Sequence, residues 1–97
     1  MRFTWHAAKS DRNLRDRGFD FPFASLVFAG RTLKRTDDRR DYGEPRMVAI
    51  GRADGVHLTV VYTDRQDVAS GVERRIISAR RSNHHERQAY QEAIEGR

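Results

Sequence analysis

The sequence predicts an α+β domain with two N-terminal helices, about four antiparallel strands and a C-terminal helix, the helices packed on one face of the sheet. Three observations predict it. Apolar residues at helical spacing lie in the first third of the chain, β-branched runs with hairpin-length connections follow, and a helix-capping signal stands near the end. Ninety-seven residues suffice for one core, so we expect a single domain spanning residues 1–97.

Two helices are predicted before the first long strand. Residues 7–17, which follow a short extended segment at 3–5, contain no proline, glycine or β-branched residue. Gly18 is typical of the position after a helix end. Asp20 can cap the second helix, whose apolar stripe ends at Gly30.

Strands and one helix are predicted in the rest of the chain. Apolar runs predict strands at 31–36, 47–52, 56–63 and 72–81. Asp54-Gly55 predicts a tight hairpin turn, and the polar run 64–71 predicts a loop. Connections of hairpin length make neighbouring strands antiparallel. Asn83 and Glu86 have the spacing of a capping box, which begins the last helix.

The composition is basic and lacks cysteine. The formal net charge is +5, and all but two of the 19 basic residues are arginine, which favours polyanionic partners, although a GC-rich genome produces the same bias. The absence of cysteine excludes disulfides, thiolate metal sites and a cysteine nucleophile. Because neither a signal-peptide pattern nor a membrane-length apolar run is present, we expect a cytoplasmic protein without membrane contact.

The last predicted strand is rich in arginine. Arg74, Arg75, Arg80 and Arg81 flank Ser78, and the planar guanidinium matches phosphate oxygens two at a time, so RNA or DNA is the first partner to consider. Strand alternation puts Arg75 and Arg80 on opposite faces unless a bulge intervenes. The structural alternative is an edge strand whose charges prevent aggregation.

Proton-transfer candidates lie elsewhere in the chain. Glu44 and Arg46, at the end of the sheet, form either a proton acceptor with a phosphate clamp or a plain surface ion pair. His84, at the start of the last helix, is a candidate acid or base. No histidine pair has the helical spacing of a metal site, so we expect neither a metal nor a cofactor.

Polar residues recur every four positions along the first predicted helix. Lys9, Asn13 and Arg17 therefore share one face of that helix. They form either part of a nucleic-acid site or a face exposed to solvent. Polar residues at this spacing more often form a solvent-exposed face.

Taken in order, these residues resemble the BrnT family of toxins from residue 3 to residue 90. The matching positions are Phe3-x-Trp5, Lys9, Asn13, Gly18, Phe21, Ala24, Phe28, Gly43-Glu44-x-Arg46, Gly51, Arg75-Ile76-Ile77-Ser78-Ala79-Arg80, Glu86 and Tyr90. The resemblance implies a ribonuclease toxin of a type II toxin-antitoxin pair with a fold similar to the RelE superfamily. It also implies a BrnA-like antitoxin partner, encoded nearby, with operator DNA bound only through the complex. Two positions depart from the family pattern: His6 stands where aspartate is usual, and Arg17 where histidine is usual.

The implied activity is metal-independent RNA cleavage, in which the ribose 2′-hydroxyl attacks the neighbouring phosphate. Positive charge must then stabilise the phosphorane. The hypothesis gives phosphate binding and transition-state stabilisation to Arg46, Arg75 and Arg80, proton transfer to Lys9, Glu44 or His84, and orientation of the site to Ser78. The residues expected to contact RNA are Asn13, Arg17, Arg74, Arg81 and His84. The alternative is a non-catalytic basic module that binds nucleic acid or an antitoxin.

Overall fold

The computed structural model describes residues 1–96 as one sheet with helices on both of its faces. In chain order the elements are β1 (Arg2–Trp5), α1 (Ala7–Arg17), α2 (Phe21–Ala24), a 3₁₀ helix (Ser25–Ala29), β2 (Leu33–Thr36), β3 (Met47–Ala53), β4 (Val56–Asp67), β5 (Gly71–Arg81), α3 (His84–Tyr90) and a π turn (Gln91–Glu95). None of the helices in this part of the chain is long and apolar enough to cross a membrane.

The sheet has five strands in the order β1-β5-β4-β3-β2 and is mixed. The four later strands pair antiparallel as expected, but β1 adds a fifth strand that pairs parallel with β5, with Phe3 opposite Arg74. The prediction of about four antiparallel strands is therefore incomplete. The sequence at 3–5 does not predict this pairing, because a parallel partner strand lies far away in the sequence and is not joined by a hairpin turn with a recognisable residue pattern.

The hairpin of β4 and β5 is longer than predicted. The run 64–71 is not a loop: β4 continues to Asp67, and only a short turn precedes Gly71, whose φ is 84°. Polar residues occupy this end because their side chains pair across the strands. Arg74 donates to both carboxylate oxygens of Asp64 at 2.8 Å.

The helices pack on both faces of the sheet, which corrects the expectation of a single covered face. α1, α2 and the 3₁₀ helix cover what we call the first face, where Val27 lies against Gly51. α3 covers part of the opposite face, called the second face, where Glu86 accepts a hydrogen bond from Thr59. Thr59 lies one residue before Val60 of the first-face core, so the two side chains point to opposite sides.

Local signals set the predicted helix and turn boundaries. α1 ends at Arg17 with Gly18 in the left-handed region at φ 86°, and Asp20 accepts a hydrogen bond from the Phe23 backbone. The capping box of Asn83 and Glu86 is confirmed. The predicted second helix is a single α-helical turn that continues as the 3₁₀ helix before Gly30.

The core lies between the first face and the N-terminal helices. Its fully buried members include Phe21, Ala24 and Val27 from the helices and Leu58, Val60 and Ile76 from the sheet, each at most 2% exposed. Partly buried Phe3, Trp5, Phe23 and Phe28 complete it. This packing holds α2 and the 3₁₀ helix against β5 and so fixes the position of the arginine-rich strand.

Close packing at Gly51 gives a stability prediction. A Cβ at residue 51 would lie 3.0 Å from the Cβ of the fully buried Val27 and 3.1 Å from Cγ2 of Thr32. Gly51→Ala should therefore lower the free energy of unfolding by about 1–2 kcal/mol, measured by urea denaturation. Gly30→Ala, where a Cβ meets nothing within 4 Å, is the matched control and should cost nothing. Equal stability of the two variants would contradict the packing described here.

Candidate nucleic-acid interface

A bulge in β5 determines which arginines share a face. Val61 pairs with Ser78 and Tyr62 with Ile76, so Ile77 is an extra residue that shifts the alternation by one position. Ile76 and Ala79 both point into the first-face core. Arg75, Ser78 and Arg80 consequently share the second face. Without the bulge, Arg75 would point to the opposite face from the other two.

Arg75 lies next to the segment that carries Glu44 and Arg46. Arg75 pairs across the sheet with Thr63, whose hydroxyl donates to the Pro45 carbonyl at 2.6 Å. The Arg46 Nε lies 3.6 Å from the Glu44 carboxylate. In the described part of the chain, no carboxylate lies within ion-pair distance of Arg75. Thr63 thus links Arg75, which forms no ion pair among residues 1–96, to the segment that carries Glu44 and Arg46.

Arg80 is held by α3. Both of its terminal nitrogens donate to the Glu86 carboxylate at 2.8 Å, and that carboxylate also accepts from the Asn83 backbone. The hydrogen bonds from Arg80 are the largest cause that lowers the pKa of Glu86 to about 2. The same bonds raise the pKa of Arg80, while the nearby positive charge of Arg39 acts against them. Arg80 is therefore oriented by Glu86 and remains about 45% exposed.

Three other predicted residues line a cleft between α1 and the edge of β5. This cleft, of about 140 Å³, is formed in part by Lys9, Asn13 and Arg17 together with Ser78. The Asn13 amide donates to the Phe19 carbonyl at 2.9 Å, and Arg17 donates to the Ala79 carbonyl at 2.8 Å. Asn13 and Arg17 thus fix α1 in position, and Ser78 lies where the cleft meets the second face.

Arg74, Arg81 and His84 lie apart from these residues. Arg74 is buried on the first face, its guanidinium within 4.7 Å of the Phe28 and Tyr62 ring centroids. Arg81 packs over Phe19 and donates to the Arg17 carbonyl. His84 lines a separate depression on α3. The structure does not bring these three side chains together with Arg46 and Arg75.

The loop before β3 supplies basic residues that the sequence prediction did not select. Arg39, Arg40 and Tyr42 form an open depression with Arg46. Hydrogen bonds from Arg39 are the largest cause that lowers the pKa of Asp37 to about 2. The sequence shows the charged run at 37–41 but not the hydrogen bonds that fold it beside Arg46. Within residues 1–96, no group of three or more histidine, aspartate or glutamate side chains is arranged to hold a metal ion.

The two paired carboxylates predict acid sensitivity. Glu86 and Asp37 have folded-state pKa values of about 2, below their usual 4.5 and 3.8. The unfolded chain therefore binds more protons below about pH 4.5, and stability should fall as the pH drops towards 2. Glu86→Gln should lower the unfolding free energy at pH 7 by about 1–2 kcal/mol and flatten this dependence, measured by denaturation at several pH values. Exposed Glu92→Gln is the control; identical pH profiles for the two variants would contradict the role of Glu86.

Comparison with known proteins places the chain in a family. A search of curated protein sequences found no relative of this chain, whereas a search of protein-family models found a match. The family model described as a ribonuclease toxin, BrnT, of a type II toxin-antitoxin system matches residues 5–86. The match extends from the last residue of β1 to Glu86 in α3, and so includes both sides of the sheet and the bulged part of β5. The chain therefore belongs to the BrnT family of ribonuclease toxins.

Proposed function

We propose that this protein is the toxin of a type II toxin-antitoxin system and cleaves RNA without a metal ion. One observation carries the proposal: the bulge at Ile77 puts Arg75, Ser78 and Arg80 on the same face as Glu44 and Arg46. A surface of this kind can bind a phosphodiester and also stabilise the charge that develops when it breaks.

The spacing of the arginines suggests a division of roles. Arg75 and Arg80 lie opposite Thr63 and Thr59, so their Cα atoms are about 13 Å apart along the sheet. We propose that Arg75 and Arg46 contact the phosphate that is cleaved and stabilise the phosphorane. Arg80, oriented by Glu86, then binds a neighbouring phosphate of the same strand.

Proton transfer is assigned to groups beside these arginines. Glu44 lies within 4 Å of Arg46 and of Arg65, and we propose that its carboxylate accepts the proton of the ribose 2′-hydroxyl. The 2′-oxygen then bonds to phosphorus and the bond to the 5′-oxygen breaks, which leaves a 2′,3′-cyclic phosphate and a 5′-hydroxyl. Lys9, in the cleft that Ser78 borders, is the proposed proton donor to the leaving oxygen.

Partners follow from the same proposal. A toxin of this kind needs an antitoxin, and we propose a BrnA-like protein encoded nearby, with operator DNA bound only by the complex and the cytoplasm as the place of action. The family description names the toxin-antitoxin system, which supports an antitoxin partner and an RNA target.

A second function is favoured by one specific observation. Arg46 and Arg80 are both ion-paired with carboxylates, which neutralise part of the positive charge that would stabilise a transition state. Such a surface also suits a module that binds RNA or an antitoxin without cutting. Incubation of the purified protein with RNA distinguishes the two functions, because only the enzyme produces new 5′-hydroxyl ends.

Arg75→Ala tests the proposed enzyme directly. The wild-type protein should cleave RNA in the presence of EDTA, and Arg75→Ala should lower kcat/KM by about 100-fold or more, because a positive charge at the transition state is lost. Expression of the wild type should arrest growth, and the variant should relieve the arrest. Arg15→Ala, which removes the same charge from an exposed position of α1, should retain wild-type activity. Intact RNA with folded wild-type protein, or full activity of Arg75→Ala, would contradict the proposal.

A further inference from the structure

The loop between β2 and β3 forms a second basic depression. Arg39, Arg40, Tyr42 and Arg46 line an open concavity of about 390 Å³. The guanidinium of Arg46 lies 4.1 Å from the Tyr42 ring centroid, and that of Arg40 lies 5.1 Å from it. Three permanent positive charges and one aromatic ring thus share one concave surface.

Hydrogen bonds within the loop hold it in its conformation. The Asp37 side chain is fully buried and accepts from the Arg39 Nε and Nη2 atoms at 2.8 Å. The Asp37 backbone donates to the Arg46 carbonyl at 2.8 Å, which joins the two ends of the loop. Asp41 accepts from the Gly43 backbone and fixes the intervening turn. A loop ordered in this way loses little conformational entropy when it binds a ligand.

The charges of the depression are incompletely neutralised. Among residues 1–96, Arg40 has no carboxylate within ion-pair distance. The ion pair of Arg46 with Glu44 is long, with 3.6 Å between the Arg46 Nε and the nearest carboxylate oxygen. A group of guanidiniums with this much spare hydrogen-bonding capacity favours an anion with several oxygens.

The depression adjoins the second face through Arg46. Arg46 leads directly into β3 and belongs to both surfaces. Arg39 is close enough to Arg80 for their charges to interact. A chain of phosphates bound along Arg75 and Arg80 would therefore continue into the depression.

We propose that this depression binds single-stranded RNA beside the cleaved phosphate. Arg40 holds the neighbouring phosphodiester, Arg46 lies between the two phosphates and contacts both, and an unpaired base stacks on the layer formed by Arg40 and Tyr42. Unpaired bases stack on aromatic rings and on arginine planes, and each stacked base contributes about 1–3 kcal/mol to binding. That the neighbouring phosphate is cleaved rests on the proposed function, whereas the binding of RNA by the depression does not.

The test measures binding of a 2′-O-methyl oligoribonucleotide, which cannot be cleaved, at several salt concentrations. Arg40→Ala should raise Kd about tenfold and reduce the magnitude of the salt slope by about one. Tyr42→Ala should raise Kd by a similar factor with an unchanged slope, and Tyr42→Phe should keep wild-type affinity, because the ring is retained. Arg15→Ala is the control of equal charge.

The binding experiment tests the RNA site in the depression independently of whether the protein cleaves RNA. If wild-type protein leaves ordinary RNA intact but Arg40→Ala and Tyr42→Ala still weaken binding, the proposed function fails and the RNA site stands. If both variants bind as Arg15→Ala does, the site is overturned even when RNA is cleaved. Equal competition by polyglutamate at matched charge would also overturn it, because the depression would then be a general anion surface suited to an acidic protein.

Discussion

The single extra residue in β5 is the constraint on which the candidate site depends. Ile77 has no partner on β4, and the alternation of side chains changes phase at this position. Before the bulge, Ile76 points into the core; after it, Ala79 does. The phase change lets Arg75 and Arg80 share a face while the apolar residues on either side remain buried. Bulges recur next to functional sites because they redirect side chains without breaking the sheet.

The arginines of this chain differ in what surrounds each guanidinium. Arg74 is buried between two aromatic rings and bonded to Asp64, so its charge stabilises the hairpin. Glu86 orients Arg80, and Asp37 orients Arg39. Each ion pair fixes the direction of the guanidinium but neutralises part of its positive charge. Arg75 and Arg40 lack such partners among residues 1–96. The proposed RNA surface therefore combines oriented and unpaired cations, and its affinity should depend strongly on salt.

Sequence reasoning succeeded where short-range chemistry decides the conformation. Gly18, Asp20 and the Asn83–Glu86 capping box mark helix ends through contacts within a few residues, and Asp54-Gly55 adopts the positive φ angles of 49° and 82° expected of its turn. The parallel pairing of β1 and the placement of α3 on the second face depend on contacts between distant residues, which no local pattern encodes. The sequence places Arg75 and Arg80 on one face only if a bulge intervenes, and whether a bulge forms depends on how the core packs around Ile76 and Ala79.

The most direct test of the account is to follow the arginine Nε–H signals by NMR while a 2′-O-methyl oligoribonucleotide is added. If the bulge collects the RNA-contacting arginines on one face, the signals of Arg46, Arg75 and Arg80 should shift together, and that of Arg74, which is buried on the other face, should not. Shifts confined to Arg12 and Arg17, in the cleft beside α1, would contradict the account and assign RNA binding to the edge of the sheet.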